Sequence, residues 1–181
     1  ADAGGHQAVR GARLGDRVYV HGSAASRTLR TLATGIPACL TVTILDGIVL
    51  ARSVFEHSMN YRSVIVLGTA TPVDTAEEKA VALEAFTEKL LPGRWSEVRQ
   101  PNAKELKATE ILALEIDDAS VKMRAGPPDD DDSVDAELET WAGIVPIISA
   151  YGAPEASPGL RAGIPLSPSV RRLLTLRAPP G

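Results

Sequence analysis

The feature that most constrains the fold of this chain is a set of β-strand-length segments joined by tight-turn residues. Pairs of Gly with Asp are typical of two-residue hairpin turns, whose central positions require positive φ angles. Two such pairs separate strand candidates, Gly15-Asp16 between residues 8–14 and 17–21, and Asp46-Gly47 between residues 36–45 and 48–53. The sequence therefore predicts two antiparallel hairpins.

Four later segments rich in β-branched and apolar residues are also predicted to be strands. They cover residues 61–73, 111–116, 120–124 and 141–148. Gly68 marks a bulge or a close approach inside the longest of them. A loop or a single turn is expected over residues 54–60.

Three segments have helical spacing. Residues 23–34 predict a short helix with Ser23 as its N-cap and Gly35 just beyond its end. Residues 75–91 predict the clearest helix, and residues 104–109 a shorter one. For the long helix, the segment 74–77 (DTAE) resembles a capping box, and the expected buried stripe is Ala82, Phe86 and Leu90.

These elements predict a mainly β (α+β) protein, an antiparallel barrel of about six or seven strands with a few inserted helices. The 181 residues suit one domain. We place the barrel domain at residues 8–148 and an extended Pro/Gly-rich C-terminal arm at residues 149–181. The opening residues are Gly-rich and begin with Ala1, so we expect the natural N-terminus to be missing.

Composition excludes several classes of protein. The net charge of −4 argues against a nucleic-acid-binding protein, which gains affinity by neutralising phosphates. No apolar run reaches the length of a membrane span. The single cysteine, Cys39, cannot form an internal disulfide and is expected to be a small core residue, which fits a cytoplasmic protein.

An acidic block and two tryptophans are interpreted structurally. Residues 129–132 are four consecutive aspartates, which predict a solvated acidic loop more readily than a hard-cation site. Trp95 and Trp141 are expected to be core or interface anchors. No motif for a metal site is present in the sequence.

The junction between the second strand and the first helix is the main candidate for chemistry. Unpaired N–H groups at a helix start attract anions, and Ser23, Ser26 and Arg27 add hydroxyl donors and a guanidinium fork. Gly22 would let the backbone approach a ligand. The alternative is that Ser23 only caps a helix and that Arg27 is a solvated residue.

Several motifs then occur in an order that resembles one family. They are the junction at residues 19–27 (YVHGSAASR), followed by residues 35–43 (GIPACLTVT), 46–53 (DGIVLARS), 57–64 (HSMNYRSV) and 92–95 (PGRW). This pattern resembles the pyridoxamine 5′-phosphate oxidase-like proteins, in the branch similar to nitroimidazole-resistance proteins. The resemblance runs from about Gly15 to Pro168.

The resemblance implies an FMN-binding split β-barrel, a homodimer with the cofactor at its interface. Ser23, Ser26 and Arg27 would hold the flavin phosphate, and His57 and Arg62 would face the reacting side. The remaining cofactor-binding candidates are His21, Gly22, Arg52, Ser53 and Tyr61. Members of the family also have an N-terminal helix and a first strand that are not found in this sequence.

His57 and its neighbours also have possible roles that involve no flavin. A histidine here can act as an acid or base, ligate haem iron, or be a polar loop residue with no role. Tyr61 and Arg62 can equally be ordinary strand-edge residues. His21 shares the haem-ligand alternative with His57.

We therefore expect an FMN-binding oxidoreductase that acts on a small aromatic or nitro compound. The alternative is a non-catalytic flavin- or haem-binding split barrel that serves sensing, sequestration or haem handling. In both cases the partners are a small molecule and a second copy of the chain, with no nucleic acid and no membrane.

Overall fold

The structure, a computed structural model, describes residues 10–175. Its strands are β1 (Arg10–Leu14), β2 (Arg17–Ser23), β3 (Pro37–Leu50), β4 (Ser58–Pro72), β5 (Thr109–Glu115), β6 (Asp118–Arg124) and β7 (Gly143–Pro146). Its α-helices are α1 (Arg27–Leu32), α2 (Ala76–Leu90), α3 (Ala103–Ala108) and α4 (Pro168–Thr175). Single 3-10 turns occur at Val54–Glu56, Trp95–Glu97 and Val134–Glu137.

The chain divides into two compact units. Within the described residues, the first unit comprises residues 10–38, 68–117 and 150–175. The second unit comprises residues 39–67 and 118–149. Strand β4 contributes residues to both units, and its partner strand changes along its length.

In the first unit, the sheet order is β1, β2, β5 and the end of β4, with every pair antiparallel. The predicted first hairpin is confirmed, because β1 and β2 pair from Arg10↔His21 to Leu14↔Arg17 and Gly15 has a φ of 59°. The two residues before β1 that belong to this prediction lie outside the described part. Gly68 approaches β5 closely, since a β carbon on it would lie 3.0 Å from Leu114 Cδ1.

The core of the first unit lies on both faces of this sheet. On one face, a cluster of side chains packs with α2, namely Tyr19, Val73, Ala82, Ile111 and Ala113. On the other face, a second cluster contains Leu29 of α1, together with Val20, Ala70 and Leu112. Successive residues of β2 and β5 therefore alternate between the two clusters, as the period of a strand requires.

Helix α2 begins at a side-chain cap one residue later than the sequence predicts. Thr75 Oγ1 accepts the Glu78 N–H at 3.2 Å, so Thr75 and not Asp74 is the N-cap. Ala82 is buried and Phe86 half-buried, as predicted. Leu90 is 69% exposed, because it lies in the last turn, so its predicted burial is wrong.

Helix α1 is also shorter than predicted. Ser26 is its N-cap and accepts the Leu29 N–H at 3.4 Å, whereas Ser23 is the last residue of β2. The turn that joins them is closed by the Ser26 N–H, which donates to the Ser23 carbonyl at 2.8 Å. The predicted cap at Ser23 is therefore wrong by three residues.

In the second unit, the strand order is β6, β4, β3 and β7. The predicted Asp46-Gly47 hairpin is wrong, since β3 runs without interruption through both residues. Gly47 pairs with Pro146 of β7, and a β carbon on it would lie 3.1 Å from Ile144 Cγ2. The glycine thus allows a close approach of two strands rather than a turn.

Two structural expectations fail in the second unit. Asp130 is fully buried and pairs with Arg52, so the acidic block is not uniformly solvated. Cys39 is exposed rather than part of the core. Trp141 is 65% exposed, so it is not a core residue, and its role as an interface anchor stays a prediction.

The C-terminal segment is not extended throughout, because α4 packs on the first unit. The Glu97 carboxylate accepts the Ser169 N–H at 2.8 Å and the Ser169 hydroxyl, and Ser169 is fully buried. These hydrogen bonds, the first of them from the Ser169 hydroxyl, lower the pKa of Glu97 to about 2. Arg94 joins the cluster by donating to Ser167 Oγ at 3.0 Å.

The prediction of a mainly β, antiparallel fold with a few helices is confirmed. The hydrogen-bonded path of strands in residues 10–175 does not close into a complete barrel. The predicted boundary between a domain and an arm near residue 148 stays a prediction. None of the helices in the described part is long and apolar enough to cross a membrane.

Candidate functional site

The start of α1 gathers three of the predicted ligand-binding residues. Ser23 Oγ accepts the Ala25 N–H at 3.2 Å, and Ser26 Oγ caps the helix. Arg27 follows directly and is exposed, with no ion-pair or hydrogen-bond partner within residues 10–175. The first turn of α1 carries no acidic residue. This region can therefore offer hydroxyl and guanidinium donors to an anion without competition from a carboxylate.

Gly22 has a packing role that the sequence does not reveal. A β carbon on Gly22 would lie 2.8 Å from Leu29 Cδ1, so any side chain at this position would force the Leu29 side chain to shift where α1 lies against β2. The close approach seen here is that of a helix. Approach of a ligand to Gly22 stays a prediction.

His21 lies on the opposite face of β2 from Gly22. Its ring centroid is 4.3 Å from that of Phe86 in α2, with the planes tilted by 43°. A groove of about 450 Å³ runs beside them in the first unit. The groove is also lined by Gly11, Leu83, Thr87, Lys89 and Leu90. His21 thus belongs to the α2 face, whereas Gly22 and Leu29 belong to the α1 face.

In the second unit, Ser53 and His57 are brought together by a single 3-10 turn. Ser53 Oγ accepts the Phe55 N–H at 3.1 Å, which caps the turn. His57 Nδ1 lies 2.8 Å from the Ser53 carbonyl oxygen. Because a carbonyl can only accept, Nδ1 carries the proton of the neutral ring, and Nε2 keeps its lone pair. His57 is itself exposed.

Arg52 has protein partners of its own. Its guanidinium Nη1 donates to Asp130 Oδ1 and to Asp131 Oδ1, each at 3.0 Å. Its backbone N–H donates to Asp130 Oδ2 at 2.6 Å. Arg52 is therefore engaged with the acidic loop, and contact with a cofactor stays a prediction.

Arg62 forms a two-pronged ion pair with Asp46. Arg62 Nε donates to Asp46 Oδ2 at 2.9 Å, and Nη2 donates to Oδ1 at 2.8 Å. The hydrogen bond from Arg62 is the main reason that the pKa of Asp46 is lowered. Tyr61, the preceding residue of the same strand, lies on the other face of the sheet. The two residues are thus separated, although they are adjacent in sequence.

The face of the second unit that carries Arg62 is strongly apolar. Cross-strand partners such as Val64 and Val121 share this face, as do Arg62 and Met123. Asp46 pairs with Arg62 on this face, so the other even-numbered residues of β3 lie on it as well. The exposed fractions of its apolar side chains are 56% for Val42, 49% for Ile44, 41% for Ile48, 37% for Val64, 62% for Val121 and 67% for Met123. We call these six residues the apolar face.

Sequence reasoning missed two residues that organise the second unit. Asp46 was interpreted as a turn residue, so its pairing with Arg62 was not expected. Asp130 was hidden in a run of four aspartates, from which no sequence signal distinguishes the buried one. One indirect signal was available. If Arg52 is partly buried, its charge needs a carboxylate partner, and residues 129–132 supply several.

One family model and two solved structures are similar to this chain. The model of the family described as pyridoxamine 5′-phosphate oxidase matches residues 7–123, well over half of the chain. A structure described as the FAD and heme binding protein from Mycobacterium smegmatis is 46% identical, with a TM-score of 0.85, and the match covers 90% of this chain and 80% of that one. No curated protein matches the chain.

A second solved structure is slightly less similar. It is the flavocytochrome Anf3 from Azotobacter vinelandii, which is 41% identical with a TM-score of 0.81. The match covers 88% of this chain and 74% of that chain. These likenesses confirm the predicted split-barrel fold.

Proposed function

We propose that this chain, which belongs to the pyridoxamine 5′-phosphate oxidase family, binds a flavin nucleotide and is an oxidoreductase. The observation that carries the proposal is the start of α1. Arg27 is exposed there without a partner in residues 10–175, and no acidic residue lies in the first turn. A donor set of this kind suits the phosphate of a nucleotide.

The residues present fit such a group. Arg27 would supply a charged fork to the phosphate, and the hydroxyls of Ser23 and Ser26 would add donors. Thr28, in the first turn of α1, offers a further backbone N–H, because the first N–H groups of a helix have no partner inside it. Gly22, Arg52, Ser53, Tyr61 and His21 are proposed as further contacts of the cofactor.

Two flavins, FMN and FAD, are candidates for the cofactor. The sequence predicts FMN, while one similar protein is described as binding FAD and haem. Mass spectrometry of the molecule released on denaturation distinguishes the two flavins. Release of neither flavin, together with a colourless protein that takes up neither, would contradict the proposal.

A bound flavin would supply hydride or single-electron transfer, and the protein would bind and orient the substrate. We propose a small aromatic or nitro compound as that substrate, with His57 and Arg62 beside it. His57 can accept a proton at Nε2, since Nδ1 is held by the Ser53 carbonyl. Arg62 can orient an anion with the guanidinium hydrogens that Asp46 leaves available. Anaerobic reoxidation of the reduced flavin by nitrobenzene would test the reaction.

The apolar face supports the proposal of a homodimer. Monomeric proteins seldom expose a large continuous apolar patch, and Met123 and Val121 are more than half exposed here. A second copy of the chain would remove this face from water. The family resemblance implies in addition that the cofactor of such a homodimer lies at its interface. Analytical ultracentrifugation of the purified chain measures this association directly.

The phosphate site is tested by a matched pair of variants in one helix. Arg27→Gln should weaken flavin binding by about 10- to 100-fold, because a charge-assisted hydrogen bond is worth about 1.5–3 kcal/mol. Arg30→Gln removes the same charge from α1 but lies later in the helix and donates to the Ala25 carbonyl. It should change the affinity less than about threefold, well below the effect of one charge-assisted hydrogen bond. Equal effects of the two variants on flavin titrations would exclude Arg27 as a phosphate ligand.

A second candidate function, haem binding, is favoured by the geometry of His57. Histidines that ligate metals usually donate their other ring N–H to a carbonyl or carboxylate, which is the arrangement of His57 with Ser53. An absorbance spectrum with a Soret band after haem addition would support this function. Loss of the band in His57→Ala but not in His21→Ala would assign the ligand, and an unchanged spectrum in both would contradict it.

A further inference from the structure

Asp130 is the one fully buried carboxylate in the described part of the chain. Its side chain has no exposed surface, while that of Asp131 is 73% exposed. A buried carboxylate is costly unless it is paired and hydrogen-bonded. Both oxygens of Asp130 are matched by Arg52, one by the backbone N–H at 2.6 Å and the other by the guanidinium at 3.0 Å.

The loop that carries Asp130 is fixed at a second point. Asn60 Nδ2 donates to the Gly126 carbonyl at 3.1 Å, and Arg124 Nη1 donates to Asn60 Oδ1 at 2.9 Å. Asn60 is 8% exposed. The loop therefore holds Arg52 and Asn60, the two residues that flank the segment 53–59. That segment contains the turn with His57.

The ring of His57 depends on the residue that follows Arg52. Ser53 provides the carbonyl that accepts from His57 Nδ1 at 2.8 Å. The N–H of Arg52 is fixed by Asp130, so a rotation of this backbone would move the Ser53 carbonyl. The contacts thus form a continuous chain from a buried carboxylate, through one residue of backbone, to an exposed imidazole.

We propose that Asp130 is a positioning residue for His57. Through Arg52 it fixes the Ser53 carbonyl, which keeps the proton of neutral His57 on Nδ1 and leaves Nε2 available as a base or ligand. The value of this arrangement to the cofactor or substrate rests on the proposed function. The positioning of the His57 ring by Asp130 is independent of the proposed function.

The proposal is tested by Asp130→Asn in the full chain, with Asp131→Asn as the matched control. Both variants remove one carboxylate that faces the same Arg52 nitrogen, but only Asp130 also accepts the Arg52 N–H. Imidazole ¹⁵N NMR, assigned with His57→Gln, reports which nitrogen carries the proton. We expect the Nδ1–H form in the parent and in Asp131→Asn, and a shift toward the Nε2–H form in Asp130→Asn. A folded Asp130→Asn protein that keeps the Nδ1–H form overturns the proposal.

Asp130→Glu covers the case in which Asp130→Asn does not fold. It keeps the carboxylate, but the additional methylene group displaces the oxygens from the Arg52 N–H and guanidinium, so a partial shift toward the Nε2–H form is expected. An unchanged ring in this variant also overturns the proposal.

Haem titration separates this inference from the proposed function. Loss of a residue that orients a metal-ligating histidine costs about 10- to 100-fold in affinity, and we expect a loss of this size for Asp130→Asn. A shifted proton with unchanged haem and flavin affinity would contradict the proposed role of His57 and would support its positioning by Asp130.

Discussion

The two units of this chain are stabilised in different ways. In the first unit, side chains from β2, β5, α1 and α2 bury one another, and Ile111, Leu112 and Ala82 have no exposed surface. In the second unit, the buried apolar residues among those described are Val49, Ala51 and Val66. Its apolar face is exposed. Its buried polar residues are held by an ion pair between Arg52 and Asp130 and by a hydrogen bond from Arg124 to Asn60.

The difference lies in how many apolar side chains each unit buries among its own residues. Burial of apolar surface is the main favourable term in folding, and the first unit obtains it from its own residues. The second unit keeps apolar side chains in contact with water, which favours association with a second surface. The proposed dimer would meet this requirement.

The largest expected effect concerns the core of the first unit. Leu112→Ala should lower the free energy of unfolding by about 2–5 kcal/mol, because the site is fully buried and the cavity cannot collapse completely. Val121→Ala, on the apolar face, should change it by less than about 0.5 kcal/mol at concentrations where the chain is monomeric. Urea unfolding followed by circular dichroism measures both. Equal losses of unfolding free energy in the two variants would contradict the different burial of the two units.

The next effect concerns association. The double variant Val121→Lys, Met123→Lys places two like charges on the apolar face, which should weaken dimer formation by at least about tenfold, since burial of an unpaired charge is costly. Sedimentation velocity over a range of concentrations measures the dissociation constant. A matched pair of lysines at Val134 and Leu138, which are exposed but lie outside the apolar face, should leave it unchanged. If only the lysines at Val134 and Leu138 weaken the dimer, the interface does not lie on the apolar face.

A pH effect is expected in the first unit, in addition to the one that the lowered pKa of Asp46 implies for the second unit. The pKa of Glu97 is about 2 in the folded chain against an ordinary value of 4.5, so its hydrogen bonds to Ser169 stabilise the fold fully above pH 4.5. This contribution should be lost as the pH falls from 4.5 to 2, and α4 should separate from the unit.

Each unit contains its own tryptophan, which allows the acid transition to be assigned. Fluorescence of Trp95 in a Trp141→Phe background should report the transition between pH 4.5 and 2. In Glu97→Gln the signal should change less than in the parent over this range. A residual change is expected from Glu88, which accepts the Trp95 N–H at 2.9 Å and whose pKa is lowered by its hydrogen bonds from the Gly93 and Trp95 N–H groups. Glu84→Gln, which removes an exposed carboxylate of α2, should behave like the parent. A transition that is identical in all three proteins would show that Glu97 does not hold α4.

The smallest expected effect is at the tip of the 3-10 turn in the second unit. Phe55 is 90% exposed, so Phe55→Ser should change the free energy of unfolding by less than about 0.5 kcal/mol. Differential scanning calorimetry of dilute protein measures this change. A loss of more than 2 kcal/mol would mean that this turn is covered in solution.

Local sequence signals were sufficient where the structure depends on neighbours in the chain. The Gly15-Asp16 turn, the long helix with a polar cap and the strand through Gly68 were all predicted, because each follows from residues a few positions apart. The strand-to-helix junction was also predicted, although its cap is Ser26 and not Ser23. The choice between two serines three positions apart depends on where β2 stops pairing with β5, which no local pattern specifies.

Signals failed where a distant residue changes the meaning of a local motif. Asp46-Gly47 is a strong hairpin signal, yet Arg62 pairs with the aspartate and Pro146 pairs with the glycine. Leu90 fits the apolar period of α2, but among residues 10–175 no element buries its side chain, which is 69% exposed. The candidate site shows the same limit, since His21 and Gly22 are neighbours in sequence and lie on opposite faces of β2.

The sequence by itself determined the family, the strand-rich composition and the location of the strand-to-helix junction proposed to bind an anion, because these depend on residue type and short spacing. The tertiary structure decided which charges are paired and which faces remain open. Asp130 illustrates the division most clearly, since four identical residues stand side by side and one is buried. Only the position of Arg52, far away in the chain, selects it.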